Sequence, residues 1–517
     1  MKWLGVLALC GACGGKDPPP DPGGVSLVLD IPNGVLDPKG FTTVEVVLHT
    51  PSGDVVRSAN VARDGTFELG ALDPSNMLSV EATLRNDSGA AVGYGRTAGT
   101  TAFLGGAKIV VPVRRPIAYI AGTVSRDIST GQSPVLQWTE APATFSDLSI
   151  GGSLDGKAQV GSQVVQMIAA GPNLYLVTQA ITSTSGALTG PAKIVPVSTA
   201  DHQVGTAMTG QLTGAVLDGD GADDGSALAI GTATQLFAVD TATGVARPIA
   251  DGTFSRVVIL TTDTGEIDAI AIKDRGSTTG ACATSAELWW APLTAGAGPA
   301  HMVAVGGFSD VATDRGHAYY VDACKAELGE LTATAATKLR SLPGPGTARP
   351  TALAVSNGQA YVGLETLPAT TSLLVAAVAT SDAPRTLWTE TAQQVLDVSL
   401  LPEVQRQLDA TSVVVDHLEV GAGGDYVAIT TSAHFHGARL SAVSFPDMTI
   451  DTEELRVFDA ATGGVVQRYR SWCDGLVLLT SGDIRDWECA PTVGQTAASD
   501  PMYEHHIDSM TFLFGKK

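Results

Sequence analysis

The chain has 517 residues and a formal net charge of -22, from 53 Asp and Glu against 31 Lys and Arg. An acidic balance of this size argues against nucleic acid and anionic lipid faces as charge-driven partners, since both demand clustered basic residues. With Gly 58, Pro 27, abundant Thr and Val and only 16% charged residues, the composition favours short strands and turns over long helices, and the length exceeds one ordinary core.

Residues 1–24 read as an export segment and spacer. Lys2 precedes the apolar run Trp3 to Leu9, which is too short to span a bilayer as a helix. Cys10 and Cys13 follow, and residues 14–24 form a proline-rich, stiff tether. The segment resembles the signal of bacterial lipoproteins, in which a small residue directly precedes a cysteine that becomes diacylated. Ala12 before Cys13 matches that pattern; Leu7-Ala8-Leu9-Cys10 carries the leucine but a bulky residue at the cut, which makes Cys10 the alternative. The resemblance implies a signal over residues 1–13 and a membrane-tethered protein of the cell envelope. Gly rather than Asp follows either cysteine, which implies the outer membrane. An ordinary cleaved signal with incidental cysteines is the other reading.

From residue 25 to residue 116 apolar and polar residues alternate, as in Thr43-Val44-Glu45-Val46-Val47-Leu48 and Leu78-Ser79-Val80-Glu81-Ala82, with turn residues such as Pro51-Ser52-Gly53-Asp54 between the runs. The pattern predicts about seven strands in a small β-sandwich. With Asp64-Gly65-Thr66-Phe67 entering a strand, the segment resembles immunoglobulin-like and carboxypeptidase-regulatory-like modules. No Cys-Trp-Cys core marks a true immunoglobulin domain.

Residues 117–517 carry a longer period. Leu236-Phe237-Ala238-Val239-Asp240-Thr241-Ala242-Thr243-Gly244-Val245 returns as Leu455-Arg456-Val457-Phe458-Asp459-Ala460-Ala461-Thr462-Gly463-Gly464-Val465, and more faintly from Ile194 to Asp201. Each is an alternating strand running into an Asp-x-x-Thr-Gly turn. Segments beginning at Asn173, Ala227, His317, Gln359 and Asp425 share an upstream strand. Such units hide their faces only against neighbours, and ring closure protects their edges. The Val-Asp-x-x-Thr-Gly hairpin resembles YVTN-type and quinoprotein-like β-propellers. Blade starts fall near Ile117, Val164, Gly225, Val257, Val311, Thr351 and Asp425, which predicts an all-β chain of sandwich followed by a seven-bladed propeller, with six or eight blades as the alternatives. An insertion is expected over residues 391–424, with a short helix at Pro402 to Leu408, and His505 to Phe514 as a closing strand.

Four cysteines follow the signal, an even number suited to an oxidising compartment and two disulfides. Cys473 and Cys489 enclose a local loop. Cys282 and Cys324 precede similar strands 42 residues apart, a spacing that would staple neighbouring repeats.

The sharpest motif is Asp218-Gly219-Asp220-Gly221-Ala222-Asp223-Asp224, whose spaced carboxylates suit a hard cation. It resembles the calcium loops of integrin-type propeller repeats, with Asp218, Asp220 and Asp224 as ligands; a solvated acidic turn is the alternative. His434 and His436 share a strand face, as a metal pair needs, but have no third ligand nearby. Trp289, Trp290, Trp388 and Trp472 suit either a glycan platform or the wedge between blades. There is no Gly-x-Ser-x-Gly elbow, Walker loop or His-Glu-x-x-His. The expected function is an envelope lipoprotein that binds or scaffolds an unidentified protein or glycan through its propeller face. The alternative, an exported propeller oxidoreductase, lyase or hydrolase, rests on fold analogy.

Overall fold

The computed structural model describes the chain except for residues 1–25, 32–37, 39, 51–52, 60–65, 69–76, 98–100, 103–107, 125–134, 141–142, 148–161, 182–187, 200–204, 209, 263–264, 276–282, 345–346, 367–368, 400–408, 437–448, 471–473, 479–483 and 489–504. The lipidation candidates Cys10 and Cys13, and Cys282, Cys473 and Cys489, lie outside the described residues.

The first eight strands form two facing sheets. One is β1 (Ser26–Asp30) between β4 (Thr66–Glu68) and β8 (Lys108–Pro112). The other is β2 (Phe41–Thr50), β3 (Gly53–Ala59), β5 (Met77–Asn86) and β6 (Ala91–Arg96), with β7 (Thr101–Ala102) pairing β5. Alternation puts Val44, Val46 and Leu48 on the inner side of β2, where they meet Leu27, Val80, Leu84, Ile109 and Val111 in one buried core.

Seven antiparallel sheets follow, all but one of them four-stranded. Blade 1 holds β9 (Ile117–Val124), β10 (Val135–Glu140) and β11 (Ala143–Asp147). Its inner strand is β37 (His505–Phe512), from the far end of the sequence, which pairs antiparallel with β9. Blade 2 is β12 (Ser162–Ala170), β13 (Asn173–Ile181) and β14 (Leu188–Val197), edged by Gly205, Met208 and Leu212, which bond the backbone of β14. Blade 3 is β15 (Val216–Gly221), β16 (Ala227–Thr232), β17 (Gln235–Asp240) and β18 (Val245–Asp251). Blade 4 is β19 (Phe254–Thr261), β20 (Ile267–Lys273), β21 (Ala286–Pro292) and β22 (His301–Gly306). Blade 5 is β23 (Phe308–Asp314), β24 (His317–Asp322), β25 (Glu327–Thr332) and β26 (Ala335–Ser341). Blade 6 is β27 (Ala348–Ser356), β28 (Gln359–Thr366), β29 (Thr370–Ala377) and β30 (Arg385–Thr391). Blade 7 is β31 (Asp409–Gly421), β32 (Tyr426–His436), β33 (Thr449–Asp459) and β34 (Val465–Arg470). A separate hairpin joins β35 (Asp474–Leu478) to β36 (Ile484–Glu488).

The inner strands pack in the order β37, β12, β15, β19, β23, β27, β31 and back to β37, so the ring closes on itself. Apolar cores lie between blades rather than within them: Ile168, Val177, Leu228 and Ile230 join blades 2 and 3, and Ile270, Leu288, Val311 and Tyr320 join blades 4 and 5. Each sheet therefore depends on its neighbours for burial, as expected of a β-propeller. The five upstream segments singled out by repetition all fall on second strands of their blades, β13, β16, β24, β28 and β32, apart from the turn residue Asp425.

Two expectations are corrected. Residues 409–421 belong to the inner strand β31 and not to an insertion, because Val415, Leu418 and Val420 are buried in one core with Ala352, Tyr361 and Leu373 of blade 6. Blade 3 likewise starts at Val216 rather than Gly225. The helix is α1 (Ala392–Ser399), opened by a reciprocal cap in which Gln394 N donates to Thr391 Oγ1 at 3.1 Å and Thr391 N donates to Gln394 Oε1 at 2.8 Å. The stretch expected to be helical, residues 402–408, lies outside the described residues.

Candidate functional site

The inner strands of a closed ring leave a channel on the axis, and here it is lined with charge. Asp218 of β15, Arg256 of β19, Asp310 of β23, Asp416, His417 and Glu419 of β31 and Lys517 surround a cavity of about 30 Å³. That volume holds a water or two and no organic substrate.

The acidic motif is divided here: Asp218 to Gly221 end strand β15, and Ala222, Asp223 and Asp224 make the turn after it. Asp218 Oδ2 accepts from Val257 N and Asp220 Oδ2 from Ile259 N, both at 2.8 Å, so the two carboxylates tie blade 3 to the inner strand of blade 4. Blade 5 uses the same device: Asp310 Oδ2 accepts from Leu353 N at 2.8 Å and Asp314 Oδ2 from Gly358 N at 2.9 Å, both on blade 6. Inner strands of neighbouring blades share no ladder, and these carboxylates satisfy backbone donors that would otherwise face the channel. Asp224 points elsewhere, accepting from Ser226 N and Ser226 Oγ in a turn. Among the described residues no group of three or more His, Cys, Asp or Glu side chains is placed to hold a metal ion.

The remaining channel groups act on one another. Burial pushes the Glu419 carboxyl up to about 8 although Lys517 opposes it, and Thr511 Oγ1 donates to Glu419 Oε1 at 3.3 Å. Burial and then Arg256 push His417 down to about 3, leaving a neutral imidazole at physiological pH. Arg256 Nε lies 3.3 Å from Asp310 Oδ1, and its Nη2 donates to Asp416 O at 2.8 Å. Burial followed by repulsion from Arg256 lowers Arg275 to about 10. Asp218 would also rise on burial, but Lys517 and Arg256 outweigh that and hold it below its ordinary value.

Arg256, His417, Glu419 and Lys517 carried one signal in the sequence: the first three interrupt otherwise apolar strands. Nothing nearby in sequence names their partners, because those come from other blades. Trp289 packs edge-on to Phe254 at 5.9 Å under Lys273, and Trp290 Nε1 donates to Asp268 Oδ2 at 3.0 Å. Trp388 lies 4.6 Å beneath the buried guanidinium of Arg456, which also pairs with Glu390 and Glu454. These rings fill gaps within and between blades. His434 and His436 lie on β32, and Trp472 lies outside the described residues. Cys324 Sγ lies 3.4 Å from the carbonyl of Ala283, the residue after Cys282.

The sandwich sits over one end of the channel. Arg96 Nη2 lies 2.5 Å from Asp223 Oδ1, in the turn between β15 and β16, and Arg85 Nη1 lies 2.6 Å from Asp425 Oδ2, just before β32. Tyr426 Oη donates to Ala91 O at 3.1 Å, and Tyr94 meets Phe514 edge-on at 6.3 Å. A cleft of about 430 Å³ remains between the β5–β6 turn and blades 6 and 7, lined by Arg85, Tyr361, Arg385, Asp425, Tyr426 and Asp459.

No family model and no curated protein matches this chain. Among solved structures it is similar to a putative 6-phosphogluconolactonase from Bacteroides uniformis, with 9% identity, 68% of this chain and 94% of that one covered, and a TM-score of 0.39. A putative 6-phosphogluconolactonase from Bacteroides fragilis gives 10% identity, 77% and 98% coverage and 0.37. An oligogalacturonate lyase from Vibrio parahaemolyticus gives 11%, 62% and 80%, and 0.35.

Proposed function

We propose that this protein is a lipid-anchored binding or scaffold module of the cell envelope, held to the outer membrane through Cys13, with Cys10 as the alternative. A short tether and an immunoglobulin-like or carboxypeptidase-regulatory-like sandwich carry a rigid propeller that presents its loops to a protein or glycan. The observation that carries this reading is the channel: its charged groups are spent on one another and on neighbouring backbone, and about 30 Å³ is left free. A module without a substrate-sized axial site works through its outer surfaces and clefts. Calcium is not part of the reading, since Asp218 and Asp220 already accept from blade 4.

A Cys282–Cys324 bridge fits this compartment. Its support is the contact between Cys324 Sγ and the carbonyl of Ala283, the residue after Cys282. It would link blade 4, ahead of β21, to blade 5, ahead of β25.

The second reading, an exported enzyme, is favoured by the convergence of Arg256, His417, Asp310 and Asp416 on one cavity. The deciding experiment combines palmitate labelling with chemical crosslinking in intact cells producing the full chain and its Cys13→Ala variant. Labelling lost in the variant, with one reproducible crosslinked partner, is the expected result. An unlabelled wild type removes the anchored reading. A labelled protein without a partner, together with turnover of sugar lactones or uronides abolished by Asp310→Asn, replaces the scaffold with the enzyme.

A further inference from the structure

The axial cavity is small because the chain itself fills it. Past β37, Phe514 takes a left-handed backbone with φ of 55°, and the chain doubles back across the channel mouth. Gly515 passes so near Glu419 that a Cβ there would stand 2.1 Å from Oε1. Lys516 exchanges two backbone bonds of 2.8 Å with Val420 of β31, and its Nζ lies 3.2 Å from Asp223 Oδ2. Lys517 then enters the channel, with Nζ 3.2 Å from Asp218 Oδ1 and donating to Gly219 O at 2.5 Å.

We propose that Asp218, Gly219 O and Glu419 form a preformed site for a primary alkylammonium group, and that residues 514–517 are a strap whose Lys517 occupies it. The walls do not need the lysine. Asp218 and Asp220 are aimed by the backbone N–H groups of Val257 and Ile259, and Glu419 by Thr511, so the ring builds the chamber on its own. Asp218 Oδ1 and Gly219 O both lie within hydrogen-bond distance of the one ammonium, an anionic and a neutral acceptor for two of its three N–H groups, and the carboxyl groups of Asp220 and Glu419 act on it electrostatically. The strap has its own release point. Its turn strains a bulky residue at Phe514, and its carbonyls at Phe514 and Gly515 are held by Arg96 of the sandwich at 3.3 and 3.4 Å. Movement of the sandwich would therefore free the strap and open the site to an amine on a slender stem, such as a lysine side chain of a partner or an alkylamine. The inference does not rest on the envelope location.

The test uses full-length protein carrying Lys517→Ala and n-butylammonium as the probe, with tetramethylammonium at the same ionic strength as the control. At ten times its Kd the probe should raise the thermal midpoint of Lys517→Ala by about 1–2 °C. Wild type should not respond, and Asp218→Asn added to Lys517→Ala should abolish the response. No shift in Lys517→Ala, an equal shift in wild type, or an equal shift with tetramethylammonium would each overturn the proposal. Where Lys517→Ala does not fold alone, n-butylammonium present during refolding should restore its far-UV spectrum, and failure to do so counts against the site as well.

Discussion

Glu419 and His417 stand two residues apart on β31 and pull the stability of the molecule in opposite directions with pH. Glu419 rises from 4.5 to about 8 in the folded chain, driven by burial against the opposing charge of Lys517 and with Asp220 also facing it. Its protonated form belongs to the native state, so its contribution is complete below pH 4.5 and is lost as pH climbs through 8. His417 falls from 6.5 to about 3 because burial and Arg256 disfavour the imidazolium. Its contribution is complete above 6.5 and is lost as pH drops towards 3. Between 4.5 and 6.5 the two slopes cancel; above 6.5 only the Glu419 slope remains. Urea unfolding of wild type at pH 6.5 and pH 8 should show a loss of roughly 2 kcal/mol from this group. Glu419→Gln, which keeps a neutral side chain, should flatten that limb. Parallel curves for the two proteins would mean that Glu419 titrates near its ordinary value.

At the scale of elements, the most legible feature was the Asp-x-x-Thr-Gly hairpin, and its chemistry is local. Asp240 Oδ1 accepts from Thr243 N at 2.9 Å and Asp459 Oδ1 from Thr462 N at 2.8 Å, while Gly244 and Gly463 take φ of 68° and 73°. Gly463 also runs close to Leu387 O, where a Cβ would stand at 2.9 Å. Gly463→Ala should therefore cost about 1–2 kcal/mol, read as a lowered urea midpoint; a change within a few tenths would show that the turn relaxes freely. The acidic run at Asp218 misled because its partners, Val257 and Ile259, are 39 residues away on another blade. Spacing along the chain resembled a cation loop, while spacing across the ring made a strand. β31 was hidden for a related reason. Asp416, His417 and Glu419 break its apolar alternation, and the channel they face exists only once seven blades have closed. The cap at Thr391 and Gln394 was present in the sequence, but a proline-led stretch downstream looked the better helix.

At the scale of the whole molecule, the question is whether sandwich and propeller unfold as one body. Two sheets with a core of about a dozen aliphatic side chains make a small domain, and small domains are marginal alone. Its hold on the propeller is concentrated in two arginines. Arg96 is nearly buried and serves Asp223, Phe514 O and Gly515 O together; Asp223 keeps Lys516 when Arg96 is cut, so the loss is that of charge-assisted hydrogen bonds and should cost about 2 kcal/mol. Arg85 is about a quarter exposed, and solvent screening limits its pair with Asp425 to under ~1 kcal/mol. The seven tryptophans include none between residues 26 and 116, so tryptophan fluorescence follows the propeller while far-UV circular dichroism follows both parts. In wild type the two urea curves should coincide, because the docked sandwich borrows stability from the ring. In the Arg85→Met, Arg96→Met double variant the dichroism curve should begin at lower urea and split from the fluorescence curve. Coincident curves in the variant would place the coupling in the apolar contacts of Tyr94 with Phe514 and of Ala91 with Tyr426, and the arginines would then set orientation rather than stability.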